Sequence, residues 1–504
     1  MAKKSDMKRP QAVNAEFDND FEATGNGGAV LIEQLFRSLG IRRIIEQRLA
    51  KRSEDAEYSM TEGLYALMAG LALGGHGIQA AETLRANPLD ERLFGLKDGA
   101  PSEGTMYNIL CELSGLQPRT EAEAYEAAGA CQPALDIFGQ PAKPQRLRRM
   151  VPDQPEYATA ERRRQLQDFT QATAGRCLEL LQSQIVKMDG FTMVFGDGSD
   201  LEVEGRCFDA AEWTYAGVRA LRWLTVMAGP VIVAEELGLG ARDEGRHIVS
   251  VLERARPVID TVKGVHGKVL AHLDSAYFEK GVVERTREYG WKFLICANRL
   301  RGPLQRVAED QLEASWHKTG RDARRGWADS QFSVFAYRPE GWDFNVTILA
   351  LRWREQDDLP GIWHYTFLGT DLEPGDLPKH KVKEYGFARY GWMLYSTKQG
   401  RENHYKTALE DLGLHHPPSG RLGINQAFYA IGTALANMMM VLRYRVMQDH
   451  ERGIRVWRFR DRYVRIAGRL VEGARRLTVR LSGACVDAAR QALWLRAFAV
   501  AARL

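Results

Sequence analysis

The sequence has no C-x-x-C pair. Its six cysteines, Cys111, Cys131, Cys177, Cys207, Cys296 and Cys485, lie far apart. Such spacing suggests neither a disulfide scaffold nor a zinc site. No uninterrupted apolar stretch reaches the roughly 18–20 residues that span a bilayer. The most apolar run, 430–442, carries Gly432 and is broken by Asn437. The start, Met1-Ala2-Lys3-Lys4, is basic, but no apolar core follows it, so no secretory signal is expected. Strong net charge is missing too: 69 Lys+Arg against 65 Asp+Glu leave +4 over 504 residues. What remains is a cytoplasmic chain without a membrane partner. It is 45% hydrophobic and 27% charged, a balance that can bury a large core. Its length suits about three domains of roughly 150 residues.

The charge is unevenly spread. Between 441 and 480 stand twelve arginines (443, 445, 452, 455, 458, 460, 462, 465, 469, 475, 476, 480) against four acids and no lysine. Tyr444, Trp457, Phe459 and Tyr463 are interleaved with them. Guanidinium groups match phosphate oxygens bidentately and stack on flat rings. The stripe therefore reads first as a footprint for a polyanion, above all a nucleic acid. The competing reading is a pair of amphipathic helices with arginine stems lying over a core.

Residues 1–25 are polar, mixed in charge, and read as a disordered arm. After Gly27-Gly28, apolar residues recur at helical spacing: Leu31, Leu35, Leu39, then Ile44, Ile45 and Leu49. Ser59 and Thr61 offer caps for a second helix through Leu73, which Gly74-Gly75-His76-Gly77 ends. A third runs over 78–85, ahead of Asn87-Pro88, and Ser102 opens a fourth. Region 26–130 is thus expected to be all-helical. The stretch from Pro133 to Pro155 holds Pro133, Pro141, Pro144, Pro152 and Pro155 with Arg146, Arg148 and Arg149, so region 131–185 reads as a basic linker followed by a polar helix.

From Phe191 the pattern alternates. Strands are expected at 191–195, 221–227, 231–233, 268–273 and 292–297, with helices at 246–256 and 277–289, which argues for a mixed sheet. Then 332–337, 344–353 and 363–368 alternate apolar with polar residues around Pro339-Glu340-Gly341 and Pro360-Gly361. Helices return from about 385. The fold class is therefore mixed α+β. A helical N-terminal region precedes a core in two parts, 186–300 and 385–440. A β-rich insertion, 301–384, divides the core, and a helical basic region, 441–504, closes the chain.

Two aspartates, Asp197 and Asp274, fall at the C-terminal ends of buried-strand candidates, where a rigid sheet aims a carboxylate past its edge. Gly196 and Gly198 flank the first and would let a bulky ligand approach the backbone. Each aspartate alone reads first as a cap for the turn or helix that follows. Tyr395, Lys398, Glu402 and Tyr405/Lys406 follow at helical spacing on one face. Gly400 interrupts them, so the helix kinks there or begins just before Glu402. A plain Glu402–Lys406 ion pair is the modest alternative. Three carboxylates, two on strands and one on a late helix, suit two Mg²⁺ (or Mn²⁺) ions, hard cations that take oxygen ligands and substrate phosphate.

These segments resemble bacterial insertion-sequence DDE transposases, specifically the group named for insertion sequence 1380 within the insertion sequence 4 superfamily. Thr24-Gly25-Asn26-Gly27-Gly28 and Pro101-Ser102-Glu103-Gly104-Thr105 are similar to that family's N-terminal region. Asp197-Gly198-Ser199-Asp200 resembles its first catalytic strand, and Leu273-Asp274-Ser275-Ala276-Tyr277 its second. Tyr395-Ser396-Thr397-Lys398-Gln399-Gly400-Arg401-Glu402 resembles the Tyr-x₂-Arg-x₃-Glu signature, with Lys398 in place of the arginine. Leu409 takes the place of the later signature lysine, for which Lys406 stands in. The segment from Ala467 to Leu477 is similar to the C-terminal motif.

The resemblance implies an RNase H-like catalytic core with Asp197, Asp274 and Glu402 as metal ligands; Asp200 is the alternative first ligand. It implies DNA contacts from Tyr395, Lys398, Arg401, Lys406, Arg469, Arg475 and Arg476, and terminal-repeat binding by 26–130. The partners implied are terminal inverted repeats, target DNA and a second copy of the chain on paired ends. The activity implied is end cleavage followed by strand transfer. Two other functions stay open: a DNA-binding protein derived from such an enzyme but without catalysis, and a metal-dependent nuclease without strand transfer.

Overall fold

The computed structural model describes residues 23–96, 99–118, 155–203, 208–214, 217–238, 244–264, 267–318, 329–355, 359, 361–398, 402–473 and 476–504. The fold is mixed α+β, built around one eleven-stranded sheet. Its strands are β1 (Lys187–Met188), β2 (Phe191–Glu202), β3 (Glu212–Trp213), β4 (Arg219–Ala228), β5 (Val231–Gly238), β6 (Lys268–Leu273), β7 (Lys292–Cys296), β8 (His317–Lys318), β9 (Asp329–Tyr337), β10 (Val346–Arg354) and β11 (His364–Thr370). Strands β2, β4 and β5 form an antiparallel meander. Strands β6 and β7 then join β2 in parallel.

The insertion does not stand apart as a separate β unit. Strand β11 pairs antiparallel with β7, Leu368 opposite Cys296, and β10, β9 and β8 continue outward, so the insertion lengthens the core sheet.

The N-terminal region is helical where expected. Ser59 caps Met60–Leu73 in a capping box with Glu62, and Gly74 ends that helix with φ +106°. Ser102 caps Glu103–Ser114, and Asn87 caps Pro88–Leu93. The end of the expected disordered arm is ordered. Thr24 is buried, exchanges two backbone hydrogen bonds with Gly468, and donates its hydroxyl to Asp90 at 2.6 Å. Residues 1–22 lie outside the described residues, as do 119–154, most of the expected proline-rich linker. The helix that ends that region, Ala160–Leu180, packs on β5 and is part of the core.

Helix Leu422–Val441 is buried along its whole length. Two of its polar residues, Asn437 and Gln426, face an edge strand with open backbone groups. Asn437 accepts from the Ile232 amide and donates to the Ile232 carbonyl, both at 2.8 Å, and Gln426 donates to the Leu237 carbonyl at 3.0 Å. These side chains satisfy β5 where no further strand pairs with it. No helix among the described residues is long and apolar enough to cross a membrane.

The C-terminal region is not purely helical. It contains a hairpin of β12 (Gly468–Gly473) and β13 (Arg476–Leu481) ahead of helix Ala488–Ala501. Nor are its arginines a simple solvated stripe. Arg460 is buried and donates to the carbonyls of Leu71, Ala72 and Asp411 at 2.8 Å. Arg455 grips Asp411 and Glu410. Both tie the C-terminal region to other parts of the chain.

Candidate active site

The sequence reading ends the first strand before Asp197, but the structure carries it on to Glu202, because β4 pairs along its full outer half, Asp197 opposite Thr225. On its other side β2 pairs with β6 only as far as Phe195. From Gly196 onward that side is open, and β6 ends at Leu273. Asp197 and Asp274 thus lie side by side where two parallel strands part. Gly196 packs closely there: a Cβ would stand 2.3 Å from Leu273 Cδ2, so that side chain would have to shift. At Gly198 a Cβ would meet the Tyr277 hydroxyl at 2.6 Å and Arg222 Nε at 2.7 Å.

One cation joins the two acids. Lys398 Nζ lies 2.5 Å from Asp274 Oδ1 and 3.7 Å from Asp197 Oδ1. The Gly198 amide donates to Asp197 Oδ1 at 2.9 Å. Burial pushes the Asp197 carboxyl up to about 7, against the pull of Lys398 and with the help of the neighbouring Asp274 charge. Asp274 is shifted the other way. Burial raises it, but Lys398 and a hydrogen bond from Asp197 outweigh that and hold it below its ordinary value. Without added metal the pair behaves as one protonated and one ionised carboxyl clamped by an ammonium.

The segment that supplies Lys398 is fixed to the same strands. The Tyr395 hydroxyl donates to the Leu273 carbonyl at 3.2 Å, and its ring stacks on buried His272. Tyr395 therefore pins the end of β6 directly before Asp274, a role the sequence reading did not foresee. Helix Phe387–Ser396 ends there, residues 399–401 (with Arg401) lie outside the described residues, and a second helix, Glu402–Lys406, begins at the acid itself.

The Glu402 side chain is outside the described set, but its helix is well placed. One turn on, the buried Tyr405 hydroxyl hydrogen-bonds that of Thr225, the residue opposite Asp197, and its ring packs edge-on against Trp223. Helix Glu402–Lys406 thus covers the face of the sheet that carries Asp197. The opposite face is covered by helix Glu244–Lys263, whose Ile248 approaches Gly196.

The remaining candidates are spread out. Asp200 sits on the other face of β2 and pairs with Arg222 at 2.7 Å, away from the Asp274 contact. Lys406 is exposed, near Glu410. Arg469 is exposed on β12, Arg476 lies on β13 with its side chain undescribed, and Arg475 is outside the described residues. Sequence reasoning missed an aromatic-lined cavity that opens at Phe278. Phe278, Tyr337 and Trp342, with Lys280, Arg299 and Arg306, surround a cavity of about 940 Å³. The wide spacing of these residues in sequence hides it; only Trp342 beside the turn Pro339-Glu340-Gly341 hints at it.

Two carboxylates converging on one cationic atom form a hard-oxygen donor set that fits a divalent ion. Among the described residues no group of three His, Cys, Asp or Glu is placed to hold a metal ion.

A family model described as Transposase DDE domain group 1 matches residues 225–500, a span that includes Asp274 and Glu402 and begins after Asp197. No curated protein matches the chain. Among solved structures, the cryo-EM structure of the piggyBac transposase synaptic complex with hairpin DNA is similar at 10% identity, with a TM-score of 0.36. The alignment covers 82% of this chain and 74% of that one.

Proposed function

Because the chain belongs to the family of transposase DDE domains, group 1, we propose that it cleaves DNA at transposon ends and joins the freed 3′-hydroxyl to target DNA. The observation that carries this reading is the convergence of Asp197 and Asp274 on one cation at the parting of β2 and β6. Asp197, Asp274 and Glu402 would hold two Mg²⁺ or Mn²⁺ ions. When bound, such ions supply Lewis acidity to the attacking and leaving oxygens of an in-line phosphoryl displacement.

The chain's own part is positioning. The sheet fixes the two aspartates, the Gly198 amide orients Asp197, and Tyr395 holds the strand end before Asp274. Tyr405 anchors the helix that begins at Glu402. Lys398 neutralises the acid pair in the free protein and is near enough to turn to a scissile-strand phosphate once cations take its place. The order β5-β4-β2-β6-β7, three antiparallel strands followed by two parallel ones, supports an RNase H-like core. We read the group as that of insertion sequence 1380, with helices of 26–130 binding terminal repeats and two copies pairing the ends.

The test supplies flanking-repeat ends, Mg²⁺ and a target plasmid. Joined products are expected, and Asp197→Ala, Asp274→Ala and Glu402→Ala should each abolish cleavage while end binding persists. Cleavage without joining would make the protein a nuclease, and binding without cleavage a DNA-binding protein only. Retained cleavage in Asp197→Ala with loss in Asp200→Ala would move the first ligand to Asp200.

A further inference from the structure

Arg460 is buried, and its hydrogen bonds among the described residues all go to backbone carbonyls. Nε donates to Ala72 and Nη2 to Leu71, in the last turn of helix Met60–Leu73. Nη2 also donates to Asp411, where the helix that begins at Glu402 comes to its end. That helix continues past Lys406 as a wider, π-type turn, Thr407–Asp411. Other carbonyls of this turn find donors just beyond it: the Leu412 amide bonds Thr407, the Leu414 amide Ala408 and the His415 amide Leu409. The Asp411 carbonyl takes Arg460 instead. One guanidinium therefore closes two helices at once, at the ends where unpaired carbonyls gather negative charge. Arg455 locks the same residue through its side chain. Its Nε and Nη2 grip the two Asp411 carboxylate oxygens at 2.9 and 2.7 Å, and the Val456 amide adds a bond at 3.1 Å.

Cohesion alone does not call for such a tether. Burying a guanidinium forfeits its hydration, and apolar packing joins helices at less cost. What the forked cation adds is a fixed angle between the two helix ends. The angle matters because of where the second helix starts. Helix Phe387–Ser396 ends before it, and two polar contacts fix its direction: Tyr405 on Thr225 of β4, and Asp411 on Arg460. Measured from Tyr405, Asp411 lies roughly 9 Å along the axis and Glu402 roughly 4.5 Å the other way, at about 1.5 Å per residue. A swing of about 1 Å at Asp411 thus moves the Glu402 end by about 0.5 Å, the tolerance within which a functional side chain must be held.

We propose that Arg460 is a positioning residue for the third acid. It holds the helix that begins at Glu402 against helix Met60–Leu73, so that Glu402 stays in register with Asp197 and Asp274. The proposal rests on the reading of these three acids as metal ligands, and adds to it a residue that acts only through the backbone.

The experiment reads Mn²⁺ affinity of the full chain by electron paramagnetic resonance, with and without an end duplex. Mg²⁺-dependent end cleavage and urea unfolding are followed beside it. It compares wild type, Arg460→Lys, Asp411→Asn and Asn437→Leu. Lysine keeps the charge but lacks the fork, so Arg460→Lys should weaken Mn²⁺ binding about tenfold or more, as loss of a residue that orients a ligand does, with end binding unchanged. Asp411→Asn loosens the Arg455 grip and should shift Mn²⁺ affinity the same way by a smaller factor. Asn437→Leu disturbs the backbone at Ile232 instead; it should lower the urea midpoint and leave Mn²⁺ affinity as in wild type. Wild-type Mn²⁺ affinity in Arg460→Lys overturns the proposal; should that variant fail to fold, Asp411→Asn decides in its place. An equal weakening in Asn437→Leu also overturns it, since that marks general loosening. If wild type binds no Mn²⁺ in either condition, the proposal and the metal-ligand reading fail together. Weaker Mn²⁺ binding in the Arg460 variant of a protein that never cleaves an end upholds the positioning role and sinks the transposase reading. Unchanged Mn²⁺ affinity beside intact cleavage does the reverse.

Discussion

Replacing Lys398 with methionine removes a charge from between two carboxylates and keeps most of the packing volume. The lysine side chain is 13% exposed and bonds Asp274 at 2.5 Å, with Asp197 at 3.7 Å. At an effective dielectric of about 20, a unit charge pair 3.7 Å apart interacts by roughly 4.5 kcal/mol, an upper bound here because Asp197, raised to about 7, is only partly ionised at neutral pH. A charge-assisted hydrogen bond contributes about 1.5–3 kcal/mol net. Two effects reduce the loss: Asp274 is 44% exposed, so water screens it, and Asp197 can take up a proton more firmly. A destabilisation of about 2 kcal/mol in EDTA is therefore expected at neutral pH. Mg²⁺ then changes the ranking. A cation that binds the folded form adds stability as RT ln(1 + [L]/Kd), and in the variant it no longer competes with an ammonium. The gain on adding Mg²⁺ should thus be larger for Lys398→Met than for wild type. Urea unfolding with EDTA and with Mg²⁺ gives both numbers. A variant as stable as wild type in EDTA, or an equal metal gain in both proteins, would refute the idea that Lys398 occupies a cation position.

Further outcomes follow from the same geometry. Asp197 has a folded pKa near 7 against an ordinary 3.8, so its contribution to metal-free stability is full below about pH 4 and is lost as pH rises through about 7. Urea midpoints across that range should fall with pH in wild type and lose that slope in Asp197→Asn. Mn²⁺ affinity, read by calorimetry, should rise over the interval in which Asp197 gives up its proton. Thr225→Val leaves the buried Tyr405 hydroxyl without its partner and should cost about 1–3 kcal/mol, with a loss of cleavage rate beyond that explained by unfolding. Asn437→Leu strands the amide and carbonyl of Ile232 on a buried edge and should cost about 2–4 kcal/mol in a thermal or urea melt.

Local chemistry made much of this legible. Caps at Ser59 and Ser102 and the stop at Gly74 announce their helices, because each satisfies or ends a run of backbone groups nearby in sequence, whereas the short helix capped by Asn87 went unread. The alternating runs of the insertion announce β9, β10 and β11 for the same reason. What was hidden depends on distant partners. Nothing around residue 197 says that β4 will carry β2 on to Glu202, or that β11 will find β7 and merge insertion with core. The hairpin at 468–481 was obscured by its arginines, which read as a helical stripe until Arg455 and Arg460 are seen tied to residues far away in sequence. Lys398 was read as a phosphate ligand from its place in a signature; its contact with both acids needs the fold.

The sheet has two unlike ends. Beside β5, the amides of Asn437 and Gln426 close the row of backbone groups, while the far side ends in the two-residue strand β8. On that far side the insertion strands lie several strands from Asp197 and Asp274. Strands laid beyond β7 therefore extend the scaffold while β2 and β6, which carry the two aspartates, keep their spacing.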